Sequence, residues 1–283
     1  NARVHVSSIT QDGYTITYDD NTGYLNFLYS DFVSSVRDNS ASRIYVMGNA
    51  DEDIVAQLTL RGGTGITDST HPFGGTSLSV NGDGNYSIVG GGTTGGIQLS
   101  SAQTLSLNNI KEFKGFNTAI DNSGIVNITD VTFTDNIVDI NNNNTLNLMG
   151  EDVFDNIISS NGTGNTTITS YNDDSNIISA DVTINKSLVQ NSVEITGLSG
   201  EDNKLTVAST ANVDAYLINA GTILNSGSIT ANGGSNSGSI SGEGSFETTD
   251  SFINNDSIVQ DLLTISAGTG STTNLLLSSV DTS

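Results

Sequence analysis

Two landmarks return along this chain with a common step of about 20 residues, and that step limits its possible folds more than any composition figure does. Between positions 104 and 185, short alternating segments start at Thr104 (TLSL), Ile125 (IVNI), Thr145 (TLNL) and Thr166 (TTIT), spaced 21, 20 and 21. Between them recur Asn117 (NTAI), Asn136 (NIVDI), Asn156 (NIIS) and Asn176 (NIIS), spaced 19, 20 and 20. Phe113, Phe133 and Phe154 keep the same step. A unit of this length is too short for two helices and suits two or three short strands joined by tight turns. Alternation, as in Leu105-Ser-Leu107 and Leu146-Asn-Leu148, sends one set of side chains inward and the other outward. One coil cannot bury its own inner stripe; stacked coils can, with parallel strands about 4.8 Å apart. The fold class expected is therefore all-β, a right-handed parallel β-helix. Leu105, Val126, Leu146 and Thr167 are expected to share one column.

The pattern extends both ways. Ser77-Leu-Ser-Val80 and Tyr86-Ser-Ile-Val89 read as an earlier coil. Val193-Glu-Ile195, Leu205-Thr-Val207, Tyr216-Leu-Ile218, Ile223-Leu-Asn225 and Ser228-Ile-Thr230 read as later strands. At one coil per repeat this gives on the order of ten coils and a rod about 50 Å long. Turns fall at Asp121-Asn-Ser-Gly124, Asn141-Asn-Asn-Asn144 and Asn161-Gly-Thr-Gly164, whose residue types tolerate left-handed backbone or bond their own main chain. Asn117, Asn136, Asn156 and Asn176 are the candidate side-chain ladder, since equivalent amides in successive coils can bond to one another.

Charge then excludes partners. The 283 residues carry 31 acidic and 8 basic side chains, a formal net charge of −23. Nucleic-acid binding needs clustered cations, and an anionic membrane would repel such a chain, so neither is an expected partner. With no cysteine there is no disulfide framework and no thiolate metal site or nucleophile. No apolar run reaches transmembrane length and no signal peptide is visible, so the chain reads as processed or excised.

The first 61 residues differ in kind, holding five of the eight Tyr and all four Arg. Residues 1–61 are expected to form an N-terminal cap region and 62–283 the β-helix. Within the cap region, Tyr24, Leu25, Leu28, Phe32 and Val36 stand near helical spacing and predict a short amphipathic helix over the open first coil. The apolar Asn274–Val280 has no evident cap beyond it. Either the chain is cut within the solenoid or the last coil pairs with another chain head to tail.

No catalytic constellation stands out. His5 and His71 are the only histidines and have no triad or zinc spacing around them. A lyase acting on uronic acids needs cations beyond Arg61, where only four scattered lysines follow. Glycoside hydrolysis needs two carboxylates; Asp130, Asp135, Asp173 and Asp174 are available, though nothing singles them out. The chain is therefore read as a non-enzyme, with a polysaccharide-degrading β-helix as an alternative. No cofactor is expected except calcium, for which Asp51-Glu-Asp53, Asn81-Gly-Asp-Gly-Asn85 and Asn172-Asp-Asp174 offer clustered oxygens. The weak candidates there are Asp51, Asp53, Asp83, Asp173 and Asp174, and solvated acidic turns explain them equally well.

The segment from about 104 to 250 resembles passenger regions of bacterial autotransporters and related β-helical adhesins, through repeats such as Thr222-Ile-Leu-Asn-Ser-Gly-Ser-Ile-Thr230 and its richness in Asn, Gly, Ser and Thr. Phe133-Thr-Asp-Asn136 is similar to the FxxN motif of polymorphic outer-membrane proteins, and Gly95-Gly-Ile97 to their GGA/I/L motif. The resemblance implies extracellular or bacterial cell-surface display and a role in adhesion or self-association. Expected partners are host or neighbouring-cell glycans or proteins, or further copies of the chain. A head-to-tail extracellular filament subunit is the nearest structural alternative.

Overall fold

The computed structural model describes residues 8–11, 14–18, 25–29, 42–55, 57–60, 76–92, 94–173, 176–197, 202–266 and 275–277. These residues contain 29 strands and no helix, and 27 of the strands join in one continuous hydrogen-bonded sheet. From Ser42 onward the sheet is coiled into a parallel β-solenoid with three faces.

Alternation along each strand sets the register, because a slip of one residue would turn the aliphatic stripe outward. On the first face Leu78, Leu105, Val126, Leu146, Thr166, Val193 and Leu217 lie in one column. The expected fourth member was Thr167, and the structure moves it by one residue. Thr145 pairs with Asn165, so Thr166 is buried under Leu146 while Thr167 points outward. The run Asn165-Thr-Thr-Ile168 has two adjacent threonines, and it is buried Ile168 that fixes which one faces in.

The second face begins its core with Ile88 over Phe113, then Phe133 and Phe154. Their rings stack with centroids 5.4 and 4.9 Å apart, so the aromatic step read in the sequence is a column. The longest unbroken column is on the third face: Leu58, Ile97, Ile120, Ile140, Ile157, Leu188, Val213, Ile229, Phe246 and Leu263. All but the last are buried, and Leu263 is 41% exposed because no described strand lies beyond it. By contrast Ile54, Leu58 and Leu60, in the first layer, are buried.

Before the solenoid, Ser8–Gln11, Tyr14–Tyr18 and Leu25–Tyr29 form an antiparallel meander whose last strand runs parallel beside Ser42–Val46. This corrects the expected helix over residues 24–36 where it is described. Leu25, Phe27 and Tyr29 also fit a period of two, and an open strand edge beside them supplies the hydrogen bonds. Tyr24, Phe32 and Val36 lie outside the described residues.

Candidate functional site

A solenoid offers its outer surface, and the described strands of its first face carry rows of stacked side chains. The two outward rows of the first face run through Ser77/Ser79, Thr104/Ser106, Ile125/Asn127, Thr145/Asn147, Asn165/Thr167, Ser192/Glu194 and Tyr216/Ile218. Hydrogen bonds tie neighbours along the rows. Asn127 donates to Ser106 Oγ at 3.1 Å, Asn147 donates to Asn127 Oδ1 at 2.8 Å, and Ser192 Oγ donates to Asn165 Oδ1 at 2.7 Å. Glu194 is the sole formal charge in these two rows. Charges gather elsewhere: Asp121, Asp214 and Glu247 on the third face, and the ion pairs Lys114–Glu112 and Lys204–Asp181 on the second.

The expected ladder of Asn117, Asn136, Asn156 and Asn176 does not form. Val138 N bonds Asn117 O, which sets exposed Asn117 against Ile137 rather than Asn136. Asn156 stands over Asp139, next to the Ile140–Ile157 pair, and Asn176 belongs to an antiparallel hairpin outside the stack. Turn lengths drift from coil to coil, so a recurring letter at about the right step does not guarantee a shared column. Asn136 instead ties two coils together through its own amide. Its Oδ1 accepts from Phe116 N at 2.9 Å, and its Nδ2 donates to Phe113 O and to Asp139 Oδ1, each at 2.9 Å. Asp139 Oδ2 then accepts the amides of Asp155 and Asn156 in the next coil. Burial pushes the Asp139 carboxyl up to about 6, against the pull of these hydrogen bonds.

The ladders that do form were missed in the sequence. Asn122 Nδ2 donates to Asn142 Oδ1 and Asn142 Nδ2 to Gln190 Oε1, both at 2.8 Å and all buried. Further along, Asn219 donates to Asn236 and Asn236 to Asn254, each at 2.7 Å. Each ladder asparagine also binds main chain. Asn122 Oδ1 accepts Gly124 N while its Nδ2 reaches Thr145 O one coil on, and Asn219 does the same with Gly221 N and Ser239 O. The signal was present as Asn-x-Gly at strand ends: Asn122-Ser-Gly124, Asn219-Ala-Gly221, Asn225-Ser-Gly227 and Asn236-Ser-Gly238. Asparagine closes such a turn with its own side chain, and glycine leaves room beneath the next coil. A Cβ at Gly164, the equivalent glycine after the Asn144 turn, would lie 2.0 Å from Asn142 O.

One acidic corner combines several ionisable groups. Asp152 occupies a column of aliphatic residues, beside Val131 and over Val182, Leu205, Ile223 and Ile240. It is fully buried; Oδ1 accepts Val131 N at 2.9 Å and Oδ2 has no hydrogen-bond partner. Burial, reinforced by neighbouring Asp130, raises its carboxyl well above the ordinary range. Asp130 is held in the left-handed region at φ 57°; its Oδ1 accepts Glu151 N at 2.8 Å, and its Oδ2 accepts from the Tyr171 hydroxyl at 3.3 Å. Tyr171 starts the side hairpin Tyr171–Asp173/Asn176–Ile178, which therefore reaches back over this corner. The arrangement locks a turn and buries a carboxyl from solvent.

The calcium candidates disperse. Asp51 Oδ1 accepts Ser87 N at 2.7 Å, and Asp83 Oδ1 accepts Asn85 N at 3.0 Å within its own turn. Hydrogen bonding to Asn85 holds the Asp83 carboxyl below its usual range. Asp53 and Asp173 are exposed, and Asp174, His5 and His71 lie outside the described residues, as do 274 and 278–280 on either side of Leu275–Leu277. Among the described residues no three His, Cys, Asp or Glu side chains come close enough to hold a metal ion. Asp135 takes φ 55° in the turn after Phe133. Gly95-Gly-Ile97 opens a third-face strand, where Gly96 is forced by packing, since a Cβ there would lie 2.0 Å from Ala119 O. Compared with protein-family models, with curated proteins and with solved structures, the chain gives no match.

Proposed function

We propose that this chain is an extracellular, surface-displayed β-helical rod that mediates adhesion or self-association and carries out no chemistry. The observation that carries the reading is the unbroken third-face column from Leu58 to Leu263, which keeps the outward side chains of the strands that form it in rows along the rod. Ordered rows of amides and hydroxyls suit a broad, many-point contact with a glycan, a protein surface or another copy. A chain of charge −23 avoids nucleic acid and anionic membranes. Absence of cysteine suits export to a bacterial surface, where the chain crosses membranes unfolded. The acidic corner supports a non-catalytic role, because Asp152 is sealed in an aliphatic column instead of facing a groove.

The test is to couple the purified chain to beads and score attachment to cell layers and clumping of the beads. Attachment or clumping that scales with coupled protein is expected; inert beads would sink the reading. End-to-end stacking of copies is a second reading. It predicts filaments in micrographs as concentration rises, in place of single rods about 50 Å long.

A further inference from the structure

We infer that the first face binds an uncharged polysaccharide laid parallel to the solenoid axis, with one sugar ring stacked on Tyr216. The inference deepens the adhesive reading and rests on it.

Charge is the first argument. A chain of net −23 leaves two rows of this face with Glu194 as their single charge, so the surface is suited to a ligand that brings none. Uronic or sulfated polymers would be repelled by the rest of the rod at any range within the screening length. Geometry is the second. Side-chain amides and hydroxyls repeat once per coil, about every 4.8 Å, a spacing of the order of one pyranose ring in an extended chain. Asn127 spends one donor and one lone pair on the ladder and Asn147 one donor, while an amide has two donors and an acceptor with two lone pairs.

The third argument is the platform at Tyr216. The ring is 47% exposed although it sits on a strand surface. It lies across Gly233, where a Cβ would fall 3.1 and 3.2 Å from the ring edge. Gly234, next in sequence, belongs to the inward column between Leu217 and Phe252, so Gly233 alone is the glycine that makes room for the ring over the strand. On the neighbouring row Ile253, 45% exposed, adds an apolar side chain beyond Ser235. An aromatic ring laid over Gly233 offers its outer face to the C–H face of a sugar ring, while the hydroxyl rim meets the Ser and Asn rows.

The experiment applies the whole chain to an immobilised panel of neutral glucans, mannan, xylan and galactan beside polygalacturonate and heparin. Saturable binding to at least one neutral polymer is expected, unchanged within about twofold between low and high salt. Tyr216→Ala should weaken it roughly tenfold or more, while Tyr216→Phe retains it. Gly233→Val should weaken it as well, with circular dichroism reporting that each variant keeps its strands. A blank neutral panel overturns the inference, as does preference for the anionic polymers or indifference to Tyr216→Ala. Bead attachment and clumping are scored with the same preparations. If they persist while the neutral panel is blank, the glycan inference falls and the adhesive reading stands; if both are absent, both fall. Clumping abolished by Tyr216→Ala over a blank panel would assign the face to a second copy and also overturn the inference.

Discussion

Mild acid should stabilise this rod, and the cause is two buried carboxyls in adjacent coils. Asp139 has a folded value of about 6 against the ordinary 3.8. Its folded value is raised, so its stabilising contribution is complete below about 3.8 and is lost as pH rises through about 6. Integrating the linkage relation, Asp139 alone makes the fold about 2 kcal/mol more stable at pH near 4.5 than near 7.5. Asp152 shifts in the same direction, because its charge would sit in an aliphatic column with Oδ2 unpartnered. Asp155, with Lys186 paired to it at 2.7 Å, faces Asp139, while Asp130 and Glu151 adjoin Asp152. Glu112, held low by its hydrogen bond to Lys114, works in the opposite sense, but that pair is largely solvated and its effect small. The perturbation is Asp152→Asn, which keeps an acceptor for Val131 N and removes the ionisable oxygen. Urea midpoints followed by circular dichroism should rise on acidification for the parent. The variant should gain stability at neutral pH and show a flatter pH slope. A parent that is less stable at pH about 4.5 than at neutral pH, or a variant destabilised at neutral pH, would refute the reasoning.

Phe133→Ala should cost about 3–5 kcal/mol in urea unfolding, because it opens a cavity between two stacked rings that cannot collapse onto each other. Asn236→Leu should cost about 2–4 kcal/mol, since it removes one of the two partners of the Asn219 amide and takes the donor from Asn254 Oδ1 inside the stack. Gly96→Val should fail to yield soluble protein, and Gly92→Ala, with open space around it but φ 74°, should fold at a cost of about 1 kcal/mol. Tyr171→Phe should change stability by less than about 1 kcal/mol yet increase amide exchange in the side hairpin, read by mass spectrometry.

The sequence carried the fold wherever chain geometry and letter pattern share a period. Leu105, Val126 and Leu146 alternate cleanly and fell into one column, and the Phe step survived because a ring of that size has one place to go. Where two similar letters adjoin, as Thr166 and Thr167 do, alternation is silent and the neighbouring isoleucine decides. The helix expected near residue 24 failed because Leu25–Tyr29 fits both periods, and a waiting strand edge tips the balance. The amide ladders were harder to read. Their asparagines are 17 to 20 residues apart, since the coils differ in turn length, so only the local Asn-x-Gly grammar marks them. Gln190 was unreadable: it meets Asn142 from 48 residues away, beyond the side hairpin. The burial of Asp152 leaves no mark in the sequence, because nothing in Glu151-Asp-Val153 says which way the chain turns after Gly150.

Because Thr104, Ile125 and Thr145 share a column, residues 125–144 are one interchangeable storey of the building. Excising them should join Gly124 to Thr145 and shorten the molecule by about 4.8 Å, with Phe113 now meeting Phe154. Length in such a molecule is thus editable in whole units, and evolution can lengthen or trim its reach without redesigning any floor.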